Sequence, residues 1–256
     1  MRRHFTLNCE GSLLVATLDE ASGTSGLVIV TGGNETRAGA WDGQAEFAAR
    51  IAAAGFPVLR FDRRGTGDSE GENGGFRSSG QDIAAAIAAF RAACPQVSRF
   101  VGFGNCDGAS ALMLAGGAGL DGLVLSNPWT IEDETAAPPP EAVRSHYRQR
   151  LASPAAILRL LAGKVAIGPL VRSLFAAAKA PPAPSSLAQD MAAGIAGFAG
   201  DIRFLVAERD RTGQAFLGAW NKPDSRIRRC PDATHSYVEQ HARDWLMAQV
   251  LEVLRQ

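Results

Sequence analysis

The chain has 256 residues, 46% of them hydrophobic, with 26 basic and 26 acidic side chains and a net charge of zero. That is enough apolar material for one full core, and the charge balance argues against a nucleic-acid partner. No stretch reaches the ~18 apolar residues of a membrane span.

The basic start, Met1 to Phe5, meets Glu10 before an apolar run forms, so no signal peptide is expected. The four cysteines, Cys9, Cys94, Cys106 and Cys230, include no Cys-x-x-Cys pair. They fit neither a disulfide framework nor a zinc site. No metal or cofactor is expected, and a reduced, cytoplasmic setting is.

Apolar runs then alternate with Ala-rich helical segments. Residues 26–31 read as a buried strand ending in the turn Gly32-Gly33-Asn34. Residues 47–54 read as a helix, 55–62 as a strand, and 81–93 as a helix with Ile83, Ile87 and Phe90 on one face. Strand 100–103, helix 109–115 and strand 122–126 follow. The last elements are strand 202–207, helix 214–220, strand 226–230 and helix 238–254. Continuous apolar strands separated by helices predict an α/β fold, a mostly parallel sheet covered on both faces. Its chemistry should gather at the carboxyl ends of the strands.

Residues 129–200 interrupt this pattern, so the expected organisation is a core of 1–128 and 201–256 with a helical cap inserted. The insertion holds Pro138-Pro139-Pro140, Pro181-Pro182-Ala183-Pro184 and helical pieces at 154–162 and 169–179. Between Ala142 and Gln189 stand seven basic residues and no acidic one. A solvated helical face is the plain reading of that bias; a basic cap suited to an anionic substrate or carrier is the sharper one.

The stretch Gly102-Phe103-Gly104-Asn105-Cys106-Asp107-Gly108-Ala109 carries the chemistry. A short apolar strand runs into Gly-x-Cys-x-Gly and then a helix of small residues, the context of a nucleophile elbow with a thiol in place of the usual serine. Gly104 and Gly108 flank Cys106 where a Cβ would collide with neighbouring backbone. A helix N-terminus aimed at the sulfur favours thiolate. Taken alone, those five residues fit a structural cysteine equally well.

Three further features converge. Asp210 follows strand 202–207, where a triad acid belongs. His235 lies in the polar loop between the last strand and the last helix. The turn Thr31-Gly32-Gly33-Asn34 offers a backbone N–H of Gly33 or Asn34 to an oxyanion, and Asp107 supplies the second donor from its own N–H. Nucleophile, acid, histidine is the chain order of this enzyme class. Arg37, Trp129 and Arg148 are expected to meet substrate, and the carboxylates of Asp107 and Glu35 are candidates to lie near the sulfur.

The segment Asp62-Arg63-Arg64-Gly65-Thr66-Gly67-Asp68-Ser69-Glu70-Gly71 resembles the Asp-x-Arg-Gly-x-Gly-x-Ser-x-Gly loop of α/β-hydrolase-fold enzymes. With Gly104 to Ser110 and Ser126-Asn127-Pro128-Trp129, it is similar to the type 1 hydrolases associated with the exosortase A system, which belong to bacterial exopolysaccharide gene clusters. The resemblance implies a hydrolase. It also implies a link to acyl-ligase and acyl-carrier chemistry, and hence a small-molecule acyl thioester carried on coenzyme A or an acyl carrier. One departure is the Thr-Gly-Gly sequence where many relatives carry His-Gly. Acyl transfer to a sugar or alcohol, and ligand binding without catalysis, are the alternatives.

The thiol narrows the chemistry further. On an alkyl ester, the Cys106 thiolate leaves a tetrahedral intermediate more readily than the alkoxide does, so the intermediate collapses backwards. A thioester presents two comparable sulfur leaving groups, which favours activated acyl substrates.

Overall fold

The computed structural model describes residues 1–132, 185–220 and 223–256. Within them an eight-stranded sheet runs in the order β1-β2-β4-β3-β5-β6-β7-β8. The strands are β1 Arg2–Cys9, β2 Ser12–Asp19, β3 Ser25–Val30, β4 Val58–Phe61, β5 Arg99–Asn105, β6 Gly122–Ser126, β7 Asp201–Ala207 and β8 Ile227–Cys230. From β4 to β8 every pairing is parallel, while β2 is antiparallel to both β1 and β4.

The hairpin β1–β2 was not among the expected elements. Its signal is present in the sequence: Leu14, Ala16 and Leu18 alternate inward and are buried, and Glu10-Gly11, both at positive φ, make the two-residue turn. Half-buried alternation is a weaker mark than the unbroken apolar runs of β3 and β6, which meet helices on both faces.

Among the described residues, six helices cover the sheet: α1 Gly43–Ala53, α2 Gly80–Ala93, α3 Asp107–Leu114, α4 Ser186–Gly194, α5 Arg211–Trp220 and α6 Gln240–Leu254. The strand period of two divides the core into two layers. Val28 and Val30 of β3 face one layer, packed with Ile83, Ile87 and Phe90 of α2, Leu112 of α3, Leu187 of α4 and Phe216 of α5. Leu27 and Ile29 face the other, packed with Phe47 and Ile51 of α1 and Leu246 and Val250 of α6. Each fully buried side chain of this size contributes roughly 1.5–3 kcal/mol, so both layers are needed to hold the sheet.

Core packing resumes at α4, ahead of the residue 201 expected, because Leu187, Ala188 and Met191 make that helix amphipathic and bury it on α3. Ser185 caps it by accepting from the Ala188 N–H at 3.2 Å. The expected cap helices 154–162 and 169–179, and Arg148, lie outside the described residues.

Because β3 to β8 are parallel, the chain leaves the sheet along one edge after Val30, Asn105, Ser126, Ala207 and Cys230. The segments carrying Gly33, Cys106, Asn127, Asp210 and His235 therefore converge there.

Candidate active site

Cys106 sits between β5 and α3 at φ 58° and ψ −129°, a backbone conformation that non-glycine residues rarely adopt. The glycines around it make the turn possible. A Cβ on Gly104 would lie 2.6 Å from the Ala109 nitrogen, and one on Gly108 would strike the carbonyls of Val30 and Thr31. One on Gly32 would meet the Asn105 carbonyl at 2.6 Å and the Cys106 Cβ at 3.2 Å, so the Gly-rich turn packs directly on the cysteine. The strain at Cys106 lifts its side chain out of the sheet, and the thiol is partly exposed while Cys9, Cys94 and Cys230 are buried.

Asp210 and His235 meet at the same edge. His235 Nδ1 lies 2.9 Å from Asp210 Oδ2, and the carboxylate is almost fully buried. Two amides at the start of α5 orient that carboxylate: Thr212 N–H donates to Oδ1 at 3.2 Å and Gly213 N–H to Oδ2 at 3.0 Å. The Cys106 side chain is the other group whose interaction favours the protonated imidazole. The Asp210 hydrogen bond first, and the Cys106 bond second, raise the His235 pKa from 6.5 to about 10, against the opposing effect of burial. Both neighbours, a carboxylate and a sulfur, favour the protonated ring.

The three other thiols differ in kind. Burial, then a hydrogen bond to Asp82, pushes Cys9 up to about 11. Burial also raises Cys94 and Cys230.

Two asparagines, absent from the expected site, hold the histidine loop. Asn127, fully buried at φ 42°, donates to Asn105 Oδ1 at 3.1 Å and to the His235 carbonyl at 3.4 Å, and accepts from the Ala207 N–H at 2.8 Å. Asn105 donates to the same carbonyl at 3.3 Å and approaches His235 Nε2 at 3.5 Å. Beneath them Tyr237 OH and Ser126 Oγ are 2.9 Å apart, and burial drives the phenol pKa well above its usual range. One amide thus ties the ends of β5, β6 and β7 to the loop of His235. The sequence clue was Ser126-Asn127, polar residues directly after an apolar strand.

The turn at Gly33 differs from the expectation. Its N–H donates to the Asp107 carboxylate Oδ1, so the amide expected to face an oxyanion already has an anionic partner. Arg63, nearly fully buried, donates to the Gly33 carbonyl and to Ser79 Oγ, and its guanidinium lies 3.9 Å from Asp107 Oδ1. The Asn34 side chain accepts from Asn73 at 2.8 Å.

Arg37 also departs from its expected role as a substrate contact. Its backbone N–H and guanidinium both donate to Asp62, which is fully buried, and the guanidinium reaches Asp68 at 3.1 Å as well. Arg60 donates to the Arg37 carbonyl. Three residues around the end of β4, Arg60, Asp62 and Arg63, therefore clamp the loop from Gly33 to Arg37. A charge next to a Gly-rich turn looks available in sequence, and only the fold reveals its partner. Trp129 lies beside the elbow, its backbone N–H donating to the Cys106 carbonyl at 3.3 Å. Among the described residues, no cluster of side chains is arranged to hold a metal ion, and no helix is long and apolar enough to cross a membrane.

Residues 27–249 match the family model described as "Alpha/beta hydrolase family". No curated protein sequence matches the chain. Among solved structures, the chain is similar to the alpha/beta hydrolase GrgF from Penicillium sp. sh18, at TM-score 0.67 and 15% identity over 100% of this chain and 98% of that one. It is similar to the esterase Pf2001 of Pyrococcus furiosus, at TM-score 0.61 and 15% identity over 100% and 90%. It is also similar to Est1E from Butyrivibrio proteoclasticus, solved with ferulic acid, at TM-score 0.61 and 14% identity over 98% and 100%. At such identities the likeness is one of fold.

Proposed function

Starting from a chain that belongs to the alpha/beta hydrolase family, we propose that it is an acyl hydrolase whose nucleophile is Cys106, with His235 as proton relay and Asp210 as the residue that orients it. The single observation that carries this reading is the continuous relay from buried Asp210 through His235 to a cysteine at a strained strand–helix turn. A structural cysteine requires neither the positive φ nor an imidazolium on its sulfur.

In this mechanism the Cys106 thiolate attacks the acyl carbon. A C–S bond forms, and the carbonyl π electrons move to oxygen. The Asp107 N–H at the start of α3 faces the developing charge, with a second donor from the Gly33–Asn34 turn once the Asp107 carboxylate has moved aside. Collapse breaks the bond to the leaving group, which takes its proton from His235. Neutral His235 then removes a proton from water as the water attacks the acyl-enzyme. Release of the Cys106 sulfur gives the carboxylic acid and restores the thiolate–imidazolium pair.

The substrates that suit this site are thioesters and activated esters. That the similar structures include an esterase supports acyl chemistry on this scaffold. The link to exopolysaccharide and exosortase-associated metabolism, a coenzyme A or acyl-carrier thiol as leaving group, a cap over residues 129–200 and a cytoplasmic location are parts of the same proposal, resting on the residue motifs and the basic stretch 142–189.

Intact-protein mass spectrometry during exposure to matched thioesters and alkyl esters tests the reading. A single acyl adduct on Cys106 that decays by hydrolysis, with thioesters cleaved faster than alkyl esters, is expected. In Cys106→Ser thioester cleavage should fall more than ester cleavage. Hydrolysis that survives Cys106→Ala overturns the nucleophile, and faster cleavage of alkyl esters overturns the thioester preference.

A further inference from the structure

A cleft of about 250 Å³ opens between α1 and α6. Phe47, Phe103 and Leu246, all buried, form its walls. Asn105 and Ser236, the chain neighbours of Cys106 and His235, also line it, so the cleft abuts the reactive pair. None of its lining residues was expected from the sequence to contact substrate.

Two observations mark it as a binding surface. Of the four large apolar side chains that stand exposed among the described residues, two flank this cleft: Trp41 at 93% and Val238 at 51%. Two of its residues also hold a left-handed backbone, Trp41 at φ 56° and Tyr237 at φ 50°. Exposed apolar surface and local backbone strain collect at functional sites because both are unfavourable elsewhere.

The cleft's chemistry narrows its occupant. Glu35 and Glu46 balance Arg50 and Arg243 around it, so it selects for no net charge. A cavity of ~150 Å³ holds a benzene ring, so this one takes a single ring with a short linker. A phosphopantetheine arm is too long for it, and the thiol that leaves must run out to solvent.

We infer that the cleft receives the acyl arm of the substrate, and that this arm is neutral, compact and apolar, such as an arylacetyl group. The inference rests on the acyl-enzyme reading and adds the substrate class to it.

Gly43 provides the test. It lines the cleft in a right-handed conformation at φ −60°, and a Cβ there meets nothing within 4 Å. Gly43→Leu therefore adds apolar bulk to the cleft lining with no clash at its Cβ. Trp41→Gly relieves the left-handed strain and removes a wall. Acetyl, phenylacetyl and decanoyl thioesters of one small thiol, N-acetylcysteamine, are compared on the full chain and both variants. The native protein should favour phenylacetyl over acetyl by about tenfold or more in kcat/KM, the scale of apolar-pocket discrimination. Gly43→Leu should abolish that preference, and Trp41→Gly should shift it toward decanoyl.

A second readout needs no turnover. Phenylacetamide should protect Cys106 from iodoacetamide in the native chain and not in Gly43→Leu. Equal turnover of acetyl and phenylacetyl, or a phenylacetyl preference that survives Gly43→Leu, would overturn the cleft assignment. Protection by phenylacetamide without hydrolysis of any thioester would leave the cleft standing as a binding site and overturn the hydrolase reading.

Discussion

The backbone N–H of Gly33 donates to the carboxylate of Asp107, the residue immediately after the candidate nucleophile. A Cβ on Gly32 would lie 3.0 Å from Asp107 Oδ1 and 3.2 Å from the Cys106 Cβ, so the carboxylate lies near the cysteine, in the region where a tetrahedral oxygen would seek its donors. A substrate must displace it. Asp107→Ala keeps the backbone N–H and removes the occupant, and it should raise kcat/KM for a thioester about tenfold, the equivalent of one net hydrogen bond of roughly 1.4 kcal/mol. Steady-state kinetics checks this, and a fall in kcat/KM would mean that the carboxylate assists the reaction.

Asp210 is expected to act through the orientation and charge of His235. Asp210→Asn should lower kcat by about 10³–10⁴-fold while the circular dichroism spectrum is unchanged. The pH profile adds a sign. His235 titrates near 10 because Asp210 and Cys106 favour its protonated form. The native activity should therefore fall on its basic side near pH 10, as the ring loses the proton it gives to the leaving group. Removing the Asp210 charge should move that fall to lower pH. Any stability gained from the raised pKa is fully present below about pH 6.5 and is lost as pH rises through about 10. A basic limb that stays in place in Asp210→Asn would assign the titration to another group.

Thiol reactivity should separate the cysteines. Cys106 is partly exposed and interacts with His235, while burial raises the pKa values of Cys9, Cys94 and Cys230. Iodoacetamide at about pH 6.5, well under the ~8.5 of free cysteine, should label Cys106 first. The rate should drop in His235→Ala. Peptide mapping that finds all four labelled equally would remove the case for a reactive thiolate.

The buried Asp62 should matter for stability as well as activity. Its Oδ1 accepts from the Arg37 N–H and its Oδ2 from the Arg37 guanidinium, and it is fully buried. Asp62→Ala leaves a partly buried guanidinium without this partner and frees the loop that carries Gly33. A loss of roughly 3–5 kcal/mol is expected, read as a lower urea midpoint. Glu252→Ala, which removes a carboxylate 61% exposed from its pair with Arg203 at 2.7 Å, should cost no more than about 1 kcal/mol. Similar effects from the two would show that the clamp does not hold the loop.

Much of the fold was legible because parallel strands buried on both faces leave unbroken apolar runs. Leu27 to Val30 and Leu123 to Leu125 announce themselves, whereas the β1–β2 hairpin, with one face half exposed, does not. The candidate Cys106, Asp210 and His235 were nameable for a local reason: each stands just beyond an apolar strand, and parallel strands deliver such positions to one edge. What could not be read was where each polar group finds its partner, since hydrogen bonds between segments far apart in the chain leave no local periodicity. Arg37 looked available and is bound to Asp62, 25 residues away; Asn127 looked incidental and organises the His235 loop, 108 residues away. Sequence by itself determined the layers of the sheet and named the candidate reactive groups. Tertiary structure alone decided their partners, the carboxylate against Gly33, and the cleft between α1 and α6, because burial and close approach belong to packed surfaces and not to any single segment.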